Sequence, residues 1–310
     1  VTPAVSIRNF SKSWGNVRAV SGLDLEVFEG ELFGLIGPDG AGKTTTMRTL
    51  VTLLPPDEGE ISVAGRDART EIAAVRARVG YMPQRFSLYQ DLSVDQNLSF
   101  FADLSGVPKT DLQARKEELY GFNGLKPFSK RLAGRLSGGM KQKLALSCTL
   151  IHHPRVLVLD EPTTGVDPVS RNEFWRILRE LKAGGATILV STPYMDEADM
   201  CDRVAVMHGG RLLLTGAPEE VRDSLPYAVY EFQESGIVPH SGRLQSVPGV
   251  RSIQAFGDSA HLTAERSADR GRLEADLSDA LGRRVALTRV RPSLEDVFID
   301  LVSSGASNEK

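Results

Sequence analysis

The chain has 310 residues, of which 41% are hydrophobic and 25% charged, and its net charge is −3. This is the make-up of an ordinary globular protein, long enough for one large domain or two modest ones. The mildly acidic balance argues against a bulk electrostatic grip on nucleic acid, which needs a basic domain or stripe. Two distant cysteines, Cys148 and Cys201, cannot build a disulfide framework and read as small buried apolar side chains in a reducing compartment. No basic stretch followed by an apolar core opens the sequence, and no apolar run approaches the ~18 residues needed to cross a bilayer. A membrane role would need another polypeptide, or a further part of this one, to supply the pore.

Residues 1–225 alternate strand-like and helix-like segments. Strands are predicted over 5–10, 23–28 and 60–64. A short apolar strand, 32–36, runs straight into a glycine-rich turn, and a helix follows over 43–53, stopped by Pro55 and Pro56. Residues from about 86 to 150 carry helical patterns and almost no strand signal, which predicts an inserted helical subdomain. Unalternating apolar runs at 156–159 and 186–190 suit central strands buried on both faces, with a helix over 171–181 between them. This rhythm predicts an α/β domain with a partly parallel sheet. A second unit, 226–302, has strand patterns at 227–232, 250–256, 260–263 and 284–290 and helical ones at 242–246 and 269–281. The expectation there is a small ferredoxin-like α+β domain, followed by a small, polar, disordered tail over 303–310.

Gly37-Pro38-Asp39-Gly40-Ala41-Gly42-Lys43-Thr44 satisfies G-x-x-x-x-G-K-[ST] in full. It lies between a predicted strand and a predicted helix, where its mechanism requires it. Glycines let the backbone wrap phosphate oxygens with N–H groups pointing inward, and the helix adds its positive end. Lys43 would reach the β- and γ-phosphates, Thr44 would offer a hydroxyl to Mg²⁺, and Thr45 completes the ATP-binding run. The bland alternative, a glycine-rich turn matching by chance, does not account for strand, motif and helix together. The apolar strand 156–159 delivers Asp160 and Glu161 to the edge of the sheet where ligands bind in such folds. Asp160 is the candidate Mg²⁺ carboxylate and Glu161 the candidate for polarising the attacking water. Alone, an apolar run ending in Asp-Glu is an ordinary strand end; beside the phosphate cradle it gains meaning.

Leu136-Ser137-Gly138-Gly139-Met140-Lys141-Gln142 is a Ser-Gly-Gly turn opening a helix, a second place where backbone N–H groups can meet an anion. Two such sites resemble the ABC transporter ATPase family, whose signature is LSGG. The resemblance covers about residues 4–225 and implies a P-loop NTPase of the ABC ATPase fold that binds and hydrolyses ATP with Mg²⁺. It implies that Ser137, Gly138 and Gly139 of one copy close over the γ-phosphate held by another. Trp14 resembles the aromatic that stacks on adenine, although a packed aromatic at a strand end would look the same. Gln84, in Tyr81-Met82-Pro83-Gln84, resembles the glutamine that touches Mg²⁺ or water and senses a membrane partner. Asp167, in Gly165-Val166-Asp167-Pro168, resembles the residue that bridges two subunits, and it also suits a helix N-cap before proline. Pro292-Ser293-Leu294-Glu295-Asp296-Val297-Phe298 is similar to the ending of ATPase subunits of the drug-export branch. The implied partners are a transmembrane permease subunit and a second nucleotide-binding domain, at the cytoplasmic face of the membrane. A soluble family member acting on ribosomes or DNA fits the acidic balance and this ending less well.

One position departs from the family. After the strand at 186–190 the resemblance calls for a histidine, and Pro193 stands there in Ser191-Thr192-Pro193-Tyr194. Proline has neither an imidazole nor an N–H to offer a phosphate. His152 and His153, after the signature helix, read as surface residues. The expectation is an intact ATP-binding site with slow hydrolysis, resembling the first half of a tandem two-cassette exporter. The alternative is an ATP-gated dimerisation clamp with little turnover.

Overall fold

The structure is a computed structural model that describes residues 2–85, 88–233, 244, 246–256 and 258–308. It divides into two compact units, Val1–Thr215 and Gly216–Lys310, so the break falls ahead of the one expected at 225.

The first unit holds two sheets. Strands β1 (Pro3–Trp14) and β2 (Val17–Phe28) form a long antiparallel hairpin. It precedes β3 (Leu32–Ile36), and β4 (Glu58–Val63) and β5 (Arg66–Asp67) complete the antiparallel sheet in the order β2-β1-β4-β5. The second sheet has the order β10-β9-β3-β8-β7-β6, with β6 at Val79–Met82, β7 at Val156–Asp160, β8 at Thr187–Thr192, β9 at Arg203–His208 and β10 at Arg211–Gly216. Four of its pairings, β9-β3, β3-β8, β8-β7 and β7-β6, are parallel. Every residue of β3, β7 and β8 is buried, which is why their sequences show no alternation. The pattern at 79–82 escaped notice because β6 is four residues long and interrupted by Gly80, where a Cβ would lie 2.8 Å from the Thr149 carbonyl oxygen.

Helix α1 (Lys43–Leu50) sits between the sheets, its Met47 and Leu50 packed among Phe10, Leu25, Phe33 and Val158. It ends three residues before the expected 53, because Thr52 adopts a left-handed φ of 61° that leaves the helix. After the short α2 (Ile72–Arg76) come α3 (Val94–Leu104), α4 (Lys109–Asn123) and α5 (Gly138–Leu150), the expected helical insertion. Ser93 and Gln96 form a capping box that starts α3. Asn97, fully buried, donates to the carbonyls of Tyr89, Leu92 and Ser93 and accepts from the Tyr89 N–H, tying down the segment after Gln84. His152 is half-buried rather than superficial: its Nε2 lies 3.2 Å from the Val79 carbonyl oxygen. Helix α6 (Pro168–Ala183) connects β7 to β8. Both cysteines are free and buried, and burial pushes both thiols well above their ordinary range.

The second unit begins with α7 (Pro218–Asp223) and β11 (Ala228–Gln233). Then come β12 (Val250–Phe256), β13 (Ser259–Ala264), α8 (Arg270–Leu281), β14 (Thr288–Val290) and α9 (Leu294–Asn308). The sheet order is β12-β13-β11-β14, all pairs antiparallel, with α8 crossing between β13 and β14 as a split βαβ plan requires. The helix expected over 242–246 falls largely outside the described residues, although Leu244 is helical and fully buried in this unit's core. The last strand is shorter than expected because the Val285 and Leu287 N–H groups bond to Ser278 and Glu274 of α8 instead of to a strand. The expected disordered tail is corrected: α9 continues to Asn308. The Ser293 N–H and hydroxyl donate to Asp296, the Asp296 N–H returns to Ser293, and buried Leu294 and Val297 anchor the helix.

Asp296 is also the partner of His261 on β13, Nδ1 to Oδ2 3.0 Å. Burial alone would raise the Asp296 carboxyl, but the hydrogen bonds from His261 and Ser293 prevail and lower it. His261 is raised by its hydrogen bond to Asp296, against desolvation. The His261 contribution is therefore complete below the ordinary histidine pKa of about 6.5 and lost as pH rises through the raised value. The Asp296 contribution holds above about 3.9 and is lost as pH falls through the lowered value. Asp296→Asn is expected to cost about 2 kcal/mol at pH 6. It should also flatten the pH dependence of unfolding in the second unit, followed by urea denaturation from pH 4 to 9.

Candidate active site

The turn between β3 and α1 is shaped by positions that exclude side chains. At Gly42 φ is 106°, and a Cβ would stand 2.6 Å from the Ala19 carbonyl oxygen; only glycine fits. A Cβ on Gly37 would collide with the Met207 carbonyl oxygen. The turn and the first residues of α1 line a cavity of about 420 Å³, formed by Asp39, Gly40, Ala41, Gly42, Lys43, Thr44 and Thr45 together with Ala19, Gln84 and Glu161. No acidic residue occupies the first turn of α1, so its positive end is not neutralised from within. A larger cavity, about 790 Å³, lies where β7 and β8 begin, against Val156 and Thr187; of the residues named in the sequence analysis His153 lines it, and none of the candidate ATP or Mg²⁺ residues does. Hydrogen-bonding and charged groups converge on the smaller one.

Lys43 is buried and curled onto its own loop. Its ammonium donates to the carbonyl oxygens of Gly37 (2.7 Å) and Pro38 (3.0 Å) and pairs with Glu161 Oε1 at 3.1 Å. Glu161 has a left-handed φ of 48°, an uncommon conformation for a residue with a side chain, imposed where β7 turns away from the sheet. Gln84 Nε2 donates to Glu161 Oε2 (2.9 Å), and Thr164 Oγ1 reaches the same oxygen at 3.3 Å. Asp160 ends β7, and its Oδ1 accepts from Thr44 Oγ1 (3.1 Å) and Ser191 Oγ (2.8 Å). Burial raises its carboxyl above the usual range, with the Ser191 and Thr44 hydrogen bonds opposing. Its Oδ2 is buried and has no hydrogen-bond partner.

That orphaned oxygen tests the fit of Mg²⁺. A buried carboxylate with one oxygen lacking a hydrogen-bond partner, bonded through its other oxygen to a threonine hydroxyl of the cavity lining, is a donor set that suits this ion. Mg²⁺ takes one or two carboxylates and completes its shell with phosphate oxygens and water. The absence of any three-member acidic, histidine or cysteine cluster among the described residues is compatible with such a site.

The remaining sequence candidates lie apart from the cavity. Trp14 ends β1, is 50% exposed and has Lys12 Nζ 5.8 Å from its ring. Ser137 and Gly138 are exposed; Ser137 caps α5 by accepting from the Met140 N–H. Gly139 is buried against α6, where a Cβ would sit 2.6 Å from Ser170 Cβ. Asp167 is exposed and caps α6, accepting from the Ser170 N–H at 3.0 Å. Pro193 is half-buried after β8. Sequence reasoning missed Ser191, which joins the two residues: its hydroxyl donates to the Asp160 carboxylate and accepts from the Glu161 backbone N–H at 3.0 Å. The signal was the end of the buried strand β8, parallel to β7, where Asp160 pairs with Ser191.

The chain matches the family model "ABC transporter" over residues 20–164, and a second, "ATP-binding protein DrrA1-3-like, C-terminal domain", over residues 216–302. It is 36% identical to "Daunorubicin resistance ATP-binding protein DrrA3" of Streptomyces coeruleorubidus, over 96% of this chain and 95% of that protein. The chain belongs to the ATP-binding proteins of ABC transporters. It is 42% identical over 301 residues to "Probable multidrug ABC transporter ATP-binding protein YbhF" of Escherichia coli (strain K12). That match takes in 94% of this chain but spans only half, 50%, of the relative's length. Among solved structures it is similar to cbiO1 from Clostridium perfringens, part of an ABC transporter complex. The TM-score is 0.65 and the identity 28%, covering 72% of this chain and 92% of that one. The P-loop NTPase fold of an ABC ATPase and the small C-terminal domain are thereby established for this chain.

Ser191→Ala would strip a donor from Asp160 and an acceptor from the Glu161 N–H at once. Expected is a loss of about 2 kcal/mol in urea unfolding of the first unit.

Proposed function

We propose that this chain binds ATP with Mg²⁺ in the cavity at Lys43 and hydrolyses it as one half of a nucleotide-sandwich dimer serving a membrane exporter. The observation that carries the reading is the separation of two helix starts within one chain. The phosphate loop and α1 line the cavity; Ser137 and Gly138, at the start of α5, are exposed and contribute nothing to that lining. A second cassette can bring the same pair of features in reverse, so that each ATP lies between one chain's Lys43 and the other's Ser137. Asp167, exposed at the start of α6, would lie on the same contact face.

Phosphate oxygens take the Lys43 ammonium from the Gly37 and Pro38 carbonyls, and loop N–H groups and α1 hold them. Mg²⁺, when bound, would neutralise phosphate charge at Thr44 and Asp160, with Gln84 within reach through Glu161. Glu161 orients a water and accepts its proton, while Gln84 and Thr164 hold the carboxylate in place. Trp14, exposed at the hairpin end, offers a face to the adenine. Pro193 occupies the position where the family has an imidazole, so developing charge on the γ-phosphate goes without that donor and hydrolysis in this chain's own site is slow. The exposed rings of Tyr89 and Phe100, 4.4 Å apart between centroids and close after Gln84, suit docking of a permease's cytoplasmic helix. No described helix is long and apolar enough to cross a membrane, in keeping with a separate permease at the cytoplasmic face. Relatives named for multidrug and daunorubicin resistance favour drug export. Pro193 also favours a second reading, an ATP-gated clamp with little turnover. Single-turnover measurements separate the two, since a clamp retains intact ATP for many minutes.

Glu161→Gln protein saturated with Mg-ATP is expected to elute as a dimer in size-exclusion chromatography, alone or with its permease; monomer under both conditions would defeat the sandwich. In the assembled transporter, Pro193→His should raise ATP turnover roughly 10- to 100-fold, by restoring one charge-assisted hydrogen bond to the γ-phosphate. An unchanged rate would remove proline as the cause of slow hydrolysis.

A further inference from the structure

Glu197 lies in the short helical turn Met195–Met200 after β8, is 3% exposed and lines neither cavity described above. Its two carboxylate oxygens face different segments. Oε1 accepts from Thr163 Oγ1 at 2.7 Å, and Oε2 accepts from Thr192 Oγ1. Thr163 belongs to the loop that leads from Glu161 to Asp167. Thr192 ends β8, and its hydroxyl oxygen also accepts the Tyr194 N–H at 3.1 Å, fixing the turn that contains Pro193. Arg171, one turn into α6, supplies the third leg. Its Nε stands 3.5 Å from Glu197 Oε1, Nη1 stands 3.8 Å from Asp196, and the guanidinium lies over the Tyr194 ring at 4.2 Å. A buried carboxylate is tolerable only while its donors remain in place. Neither loop can move away from Glu197 alone without stranding that charge.

We propose that Glu197 is a positioning residue that makes the loop 163–167 and the turn 192–194 one mechanical body. A displacement at Pro193 is thereby carried to Asp167. The functional consequence rests on the ATP reading above: a shift of the phosphate loop when it fills, felt at Thr192 because the Gly37 N–H donates to the Thr192 carbonyl oxygen at 3.4 Å, is conveyed to the face that meets a second cassette. Loss of the imidazole at 193 removes a phosphate contact and leaves this linkage in place.

Hydrogen–deuterium exchange on the full chain tests the linkage without requiring turnover. Thr192→Val deletes the hydroxyl on one side only. Expected is about tenfold faster exchange across the bridge at the Thr164 and Val166 amides, the loss of a hydrogen bond to a charged group being worth at least that factor. Reciprocally, Thr163→Val should speed the Tyr194 amide, while Thr163→Ser and Thr192→Ser should exchange like the parent. The second unit serves as an internal standard for intact folding. Acceleration confined to the mutated loop overturns the proposal. If a valine variant does not fold, Glu197→Gln keeps the volume and removes the charge that holds Arg171. Both loops should then speed together, and one loop speeding alone is again fatal. Adding Mg-ATP should protect 192–194 and 164–166 jointly in the parent and separately in Glu197→Gln. No nucleotide effect in the parent would count against the ATP reading, while the valine pair still decides the bridge.

Discussion

Lys43, Asp160, Glu161 and Glu197 are all buried near the C-terminal ends of β3, β7 and β8, and none can be left there alone. Most of the local architecture answers that constraint. Lys43 and Glu161 pair with each other, Ser191 and Thr44 serve Asp160, and two threonines with Arg171 serve Glu197. The parallel sheet supplies the register that makes this possible, placing Asp160 opposite Ser191 and Ile36 opposite Thr192. Asp160 Oδ2, a buried carboxylate oxygen without a hydrogen-bond partner among the described residues, is where a cation and a polyphosphate would complete the set. The network describes a site whose charges are balanced in the folded chain in one arrangement and would be rebalanced in another when phosphate claims Lys43.

Much of this was legible in the sequence where a motif and a pattern coincided. The strand 32–36 was read to its boundaries, because an apolar run ends at a glycine that nothing else could replace. The pairs Asp160/Glu161 and Lys43/Thr44 were placed correctly on their elements, since strand-to-turn and turn-to-helix transitions are local events. What stayed hidden was long-range. Ser191 is 31 residues from Asp160, and nothing in Ser191-Thr192 announces that its hydroxyl joins the Asp160 carboxylate to the Glu161 backbone N–H. Glu197 reads as an ordinary surface acid in a polar run until the fold encloses it. The four-residue β6 lacked the length that periodicity needs, and β9 and β10, six residues each, adjoin no motif that would mark them. The tail misled in the other direction: its small polar composition predicted disorder, while the Ser293–Asp296 cap and two buried apolar residues upstream carry a helix through to Asn308.

Pro193 divides the residues of the site by what they require. Those proposed to hold phosphate and cation supply backbone N–H groups, a hydroxyl and a carboxylate, and all of these are present. In the proposed reaction, an imidazole at this position would matter only once charge develops on the reacting phosphate. Tyr194 beside it is fastened by its own N–H to Thr192 and by stacking under Arg171. The turn that contains Pro193 is therefore a well-held piece of structure.

Gly139 buries its α-carbon against Ser170, two elements away in sequence and three residues past Asp167. With no room for even a methyl group, the start of α5 and the start of α6 keep a fixed spacing on the exterior of this chain. Whatever surface approaches must match both helix starts simultaneously, so recognition there works as a gauge of distance rather than as a sum of separate contacts. Two non-identical cassettes could pair on such a gauge as readily as two copies, provided each preserves the same interval.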